Sequence, residues 1–210
     1  LSNIDKAPQL VEPEAFIKGK EVHKIFEDAY KEVISGVERE EIIKKVEETV
    51  KKDPNYKKYQ KHVDNFIVLN KQVGTIPLYR EEKLFDGELN IAGVIDRVDY
   101  DGKNLVVIDY KTGKEALLSK HYFQLGIYCY LFHKNHNQVP THWGIYYSDS
   151  GKLDVEKVDW NVVRQAVNRV SLVRKMIYEA TAKNSFPKSP SWFCKWCIHF
   201  QNKRCSGKGE

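Results

Sequence analysis

The stretch from Ala92 to Gly113, AGVIDRVDYDGKNLVVIDYKTG, constrains this chain more than any other. Two apolar runs flank Asp101-Gly102, a dipeptide suited to a tight turn with φ > 0, so the segment reads as a β-hairpin. Side chains alternate along a strand, which puts Asp109 and Lys111 on one face and Tyr110 on the other. Val106, Val107 and Ile108 lead up to them, so an acid and a base emerge at the end of a buried strand. Across the hairpin, Asp96 brings a second carboxylate alongside. Two carboxylates beside one lysine suit a hard divalent cation bound next to a phosphate.

The rest of the chain frames this hairpin. Apolar spacing predicts helices over Glu14–Ser35, Glu38–Lys52 and Tyr56–Val73, with a break at Asp53-Pro54-Asn55. Strands are expected over Ile76–Phe85, Asn90–Tyr100 and Asn104–Lys111, then a helix over Leu117–Phe132. A second hairpin, His142–Ser148 with Leu153–Val158, turns at Ser150-Gly151, and Trp160–Ala182 is a long helix. That order implies an α/β fold, a mixed sheet flanked by helices. At 210 residues one domain is expected. Residues 1–75 form its helical N-terminal part, 76–182 an αβ core carrying the site, and 183–210 a Cys-rich cap.

The net charge of +5, from 34 Lys+Arg against 29 Asp+Glu, permits a polyanionic partner without requiring one. No run approaches the ~18 apolar residues of a membrane span, and no signal peptide is visible. Leu1 in place of Met points to a natural N-terminus that is missing or processed. Three of the four cysteines crowd near the C-terminus, which is unlike a secreted disulfide framework. The expected location is cytoplasmic, or intracellular in a virus-infected cell.

Five features in order resemble the RecB-like branch of the PD-(D/E)XK nucleases, a group including AddB-type helicase–nucleases, CRISPR-associated adaptation nucleases and phage exonucleases. Gly19-x3-His23-x3-Glu27 is similar to the branch's helical histidine motif. Glu82 resembles an acid that precedes a strand, with Glu81 beside it leaving the register open. Gly93-x2-Asp96 matches the metal-binding aspartate, Asp109-Tyr110-Lys111 the (D/E)-x-K element, and Gln124-x3-Tyr128 the helix peculiar to this branch.

The resemblance implies a restriction-endonuclease-like core and Mg²⁺ or Mn²⁺ held by His23, Asp96, Asp109 and the main-chain carbonyl of Tyr110. An imidazole ligand is more natural for Mn²⁺ than for Mg²⁺. Glu27, one helical turn after His23, would orient that histidine or a water on the metal. Lys111 would hold the attacking water and stabilise charge on the phosphorane. Gln124 and Tyr128 share a helix face and would touch the substrate phosphate or steady Lys111.

Cys194-x2-Cys197-x7-Cys205 forms a second constellation. In related nucleases three such cysteines join an N-terminal one around a [4Fe–4S] cluster, a staple across the fold. No cysteine precedes Gly19 here, and Ile4-Asp5-Lys6-Ala7-Pro8 resembles the segment that follows the missing ligand. The fourth ligand then lies upstream of Leu1, or His199 completes a zinc site, or the cluster is lost. Candidate nucleic-acid contacts are Thr112, Lys114, Trp192 and Lys195, because basic residues among aromatics grip phosphate and stack on unpaired bases. The expected activity is a metal-dependent deoxyribonuclease, an exonuclease acting on single-stranded DNA or DNA ends in recombination, repair or phage DNA metabolism. A helicase or recombination protein is the expected partner. The alternatives are a CRISPR-type DNA-trimming nuclease and a non-catalytic DNA-binding or scaffold subunit with the same fold.

Overall fold

The computed structural model describes residues 14–33, 38–73, 76–186, 188–191, 194–195 and 197–206. Five strands lie side by side in chain order: β1 (Tyr79–Asp86), β2 (Ile91–Tyr100), β3 (Leu105–Lys111), β4 (His142–Tyr147) and β5 (Lys152–Lys157). Neighbours are antiparallel except β3 and β4, which run parallel. A parallel pair needs a crossover, and α4 (Tyr122–His136) with the 3-10 turn before it (Leu118–His121) supplies one. The β2–β3 turn takes four residues. Its Asp101 carboxylate accepts the N–H groups of Lys103 (2.9 Å) and Asn104 (2.6 Å), and Gly102 sits at φ +90°, a conformation that favours glycine.

Two cores follow from strand alternation. On one side α1 (Glu14–Asp28), α2 (Arg39–Lys52) and α3 (Gln60–Val73) bury Phe26, Val46 and Phe66 against Ile108, Tyr110 and Tyr146 of the sheet. Phe26 and Phe66 stack at 4.0 Å, and both meet the Tyr110 ring edge-on, at 5.2 and 6.1 Å. On the other side α4 and the start of α5 (Trp160–Ala182) cover Val107, Trp143 and Ile145 through Leu125, Leu131 and Val163. The central strands are therefore buried on both faces, as their near-continuous apolar runs predict.

α1 ends at Asp28 rather than Ser35 because Tyr30 is drawn into a tertiary contact. Its hydroxyl accepts from the Arg97 guanidinium (2.7 Å) and donates to Asn70. Arg97 has no exposed surface and binds both oxygens of Asp99, at 2.9 and 2.7 Å. This buried pair ties α1 and α3 to β2 one residue from Asp96. Removing Arg97 alone would strand the Asp99 charge, at about 3–5 kcal/mol. α3 begins at Gln60 rather than Tyr56, since Asp53 accepts the Asn55 N–H (2.8 Å) and holds the preceding residues in turns. α4 runs on to His136, where Asn137 at φ 53° ends it.

Residues Glu14–Ser171 form one compact unit, and the described residues from Leu172 onward belong to a second. The boundary falls within α5, before the cap expected from residue 183. Cys194, Cys197 and Cys205 lie in the second unit, none of them in a disulfide. Trp192, Trp196 and the segment from Ile4 to Pro8 are outside the described residues. Among the described residues no helix is long and apolar enough to cross a membrane.

Candidate metal centre and active site

Strand alternation breaks at one rung of the sheet. Ile95 and Val98, three residues apart on β2, both face the α4-side core, a spacing that unbroken alternation forbids. On β1 the pairs Arg80–Arg97 and Glu82–Ile95 are formed, while Glu81 between them sits at φ 45° in the left-handed region. That conformation costs a non-glycine residue about 1–2 kcal/mol. The kink gathers the Glu81 and Asp96 carboxylates with the His23 imidazole of α1, their ligand atoms all within 4.8 Å of one another. His23 Nδ1 lies 3.3 Å from Asp96 Oδ1.

The other oxygen of Asp96 does backbone work. The β2–β3 ladder stops at Arg97–Ile108, and beyond it the Tyr110 N–H donates to Asp96 Oδ2 at 2.6 Å. Asp96 thus replaces a missing strand carbonyl while presenting Oδ1 to His23. Its exposure is 8% and that of Asp109 is 3%.

Asp109 stands outside the trio, in a second group with α4. Lys111 Nζ lies 2.6 Å from Asp109 Oδ2 and donates to Gln124 Oε1 at 3.0 Å. The Gln124 amide nitrogen donates in turn to Asp109 Oδ1 and to the Tyr128 hydroxyl, each at 2.9 Å. Gly93 admits this helix: a Cβ there would lie 3.0 Å from Leu131 Cδ1 and 3.3 Å from Tyr128 Cε1. One cavity of about 620 Å³ takes in Gly19, His23, Glu27, Glu81, Lys111 and Thr112.

Asp109 and Glu81 both resist ionisation. Burial, then the Asp96 charge, pushes the Asp109 carboxyl up to about 6 against the pull of Lys111. Burial and Asp96 likewise raise Glu81 to about 7. Burial disfavours the His23 cation, yet the hydrogen bond and charge of Asp96 outweigh it and raise its pKa. Crowded carboxylates beside an imidazole make this a candidate cation site.

Most of the sequence candidates meet here, but not all. Glu27 lines the cavity and pairs with Lys24 (2.6 Å) rather than His23. Lys114 is exposed and does not line that cavity. Lys195 is exposed in the second unit. Among the described residues the only trio of metal-ligating groups is His23, Glu81 and Asp96, and the three cysteines form no comparable one. Glu82, the acid the resemblance picked out, faces away and contacts His136 at 3.1 Å. Glu81 takes the place expected for it, and only the break in alternation could have said so.

Residues 1–201 match the sequence profile of the PD-(D/E)XK nuclease superfamily. No curated protein matches the chain.

Proposed function

From the premise that this chain belongs to the PD-(D/E)XK nuclease superfamily, whose members are metal-dependent nucleases, we propose that it hydrolyses DNA phosphodiesters as an exonuclease. The observation that carries this reading is the Lys111–Asp109–Gln124 network beside the His23–Glu81–Asp96 trio. Mn²⁺ or Mg²⁺ fits the trio: carboxylates suit either ion, and the imidazole favours Mn²⁺. When bound, the cation supplies positive charge beside the scissile phosphate.

The protein's own groups do the rest. Lys111 lines the cavity with its ammonium pinned between Asp109 and Gln124; in this reading it orients the attacking water and stabilises charge developing on the phosphoryl oxygens. Gln124 fixes the Lys111 rotamer and is itself steadied by Tyr128. Asp96 holds the main chain between Asp109 and Lys111 at Tyr110, so cation site and ammonium keep one relative geometry. These Gln124 contacts also support placement in the RecB-like branch, on whose resemblance the end-directed action rests. No step here involves the cysteines.

The test is cleavage of end-labelled linear and covalently closed circular DNA, single- and double-stranded, with Mn²⁺, Mg²⁺ or EDTA. Divalent-dependent loss of linear DNA, absent in Asp109→Ala, is the expected result, with circles spared. Cut circles would make the enzyme an endonuclease. Wild type and variant equally inert, yet both binding DNA, would favour the scaffold subunit instead.

A further inference from the structure

We infer that Ser148 and His62 are positioning residues for Lys111, an inference that rests on the nuclease reading above. β3 ends at Lys111, and its last residues are held asymmetrically. They pair with β4 as far as Lys111–Tyr147, but the ladder to β2 has already stopped at Ile108. Asp96 restrains this end at the Tyr110 N–H. The second restraint is Ser148, first residue of the β4–β5 turn. Its N–H (2.9 Å) and its hydroxyl (3.2 Å) both donate to the Lys111 carbonyl.

The same hydroxyl oxygen lies 2.8 Å from His62 Nδ1 on α3, and His62 Nε2 stands 3.9 Å from the Asp149 carboxylate, so the imidazole is held between the Ser148 hydroxyl and Asp149. One turn further along α3, the Asn65 amide donates to the carbonyls of Ser148 (2.9 Å) and Asp149 (3.1 Å). Ser148 is 0% and His62 6% exposed. A serine–histidine pair suggests a nucleophile, but this serine is fully buried and has no access to a substrate. What it does is couple α3, through a turn, to the main chain of Lys111. Small displacements of a reacting group are costly: roughly 1 Å can slow a reaction about a hundredfold. Loss of one of two restraints on the carbonyl should cost less, about five- to twentyfold.

The experiment compares Ser148→Ala, Ser148→Thr, His62→Leu and the double variant Ser148→Ala/His62→Leu. Metal-dependent cleavage and hydrogen exchange at the amides of Tyr110 to Gly113 are read together. The expected result is a kcat lowered about five- to twentyfold in Ser148→Ala with KM for DNA unchanged, and recovery in Ser148→Thr, whose hydroxyl meets the same carbonyl. Exchange at these amides should quicken in Ser148→Ala and in the double variant, and to a smaller extent in His62→Leu; turnover in the double variant should be no slower than in Ser148→Ala, because both changes cut one chain. Wild-type kcat in Ser148→Ala, or an equal loss in Ser148→Thr, overturns the inference. If Ser148→Ala fails to fold, His62→Asn against His62→Leu makes the same comparison, since the amide can still hydrogen-bond the Ser148 hydroxyl in either direction; equal losses there overturn it too. An inert wild type would instead overturn the nuclease reading, and the exchange data would still decide whether Ser148 fixes the end of β3.

Discussion

Asp96 and Tyr110 are joined by a 2.6 Å hydrogen bond from main-chain N–H to carboxylate, at the point where the β2–β3 ladder stops. The same carboxylate lies 3.3 Å from His23, so one side chain closes the sheet and faces the candidate cation. Asn can accept the Tyr110 N–H but carries no charge. Ala leaves that buried N–H without a partner, a loss of about 1–3 kcal/mol.

Asp96→Asn and Asp96→Ala should therefore both abolish cleavage but differ in stability. The thermal midpoint of Asp96→Ala should fall by roughly 3–10 °C below that of Asp96→Asn in a domain of this size. Equal midpoints in differential scanning would show that the bond to Tyr110 contributes nothing.

Glu81 and Glu82 should separate cleanly in metal affinity. Glu81 shares the trio with His23 and Asp96, whereas Glu82 contacts His136 on the α4 side. Titration calorimetry with Mn²⁺ should find Glu81→Gln weakened by about tenfold or more, the scale of losses around metal sites. Glu82→Gln should match wild type. Comparable weakening in both would return the assignment to an undivided acidic pair.

The hairpin was legible because its signals are local: apolar runs, Asp101-Gly102, and an acid and a lysine two residues apart. The mixed sheet flanked by helices followed from element order, and the shared helix face of Gln124 and Tyr128 from their spacing of four. What stayed hidden was set by tertiary contact. The choice between Glu81 and Glu82 depends on a kink that shifts Ile95 and Val98 onto one face, and alternation arguments assume no kink. The end of α1 depends on Tyr30 reaching Arg97 and Asn70, residues far away in sequence. Glu27 looked like a partner for His23 at helical spacing, but Lys24, three residues before it, is paired with it instead.

Cation binding should stabilise the fold more at higher pH. Native Asp109 at about 6 and Glu81 at about 7 keep protons that the unfolded chain has already lost. Native stability from these two groups is therefore present at low pH and lost as pH rises through about 4 to 7. The raised His23 acts in the same direction above its ordinary range. A cation at the trio needs Glu81 ionised and His23 neutral, and the nearby Asp109 charge adds to its attraction, so the rise in thermal midpoint on adding Mn²⁺ should grow between about pH 5 and pH 8. His62 and His121, both lowered by burial first, act with the opposite sign on stability itself. Their effect cancels when each pH is compared with and without Mn²⁺. A shift of the same size at both ends would argue against cation binding at these acids.

Lys111 should matter to turnover far more than to binding. Its ammonium is held 2.6 Å from Asp109 and 3.0 Å from Gln124, and Lys111 lines the cavity that also takes in His23 and Glu81. A single preorganised charge of this kind typically supplies about 10²–10³ in rate. Lys111→Ala should lose about that much kcat while its Kd for DNA changes by little, because one phosphate contact among many carries a small share of affinity. Gln124→Ala should fall between, since Lys111 keeps its contact with Asp109 but loses the amide that fixes its rotamer. Single-turnover cleavage beside equilibrium DNA binding reads both quantities. Near-full turnover in Lys111→Ala would remove the ammonium from the chemistry and leave it a partner of Asp109 alone.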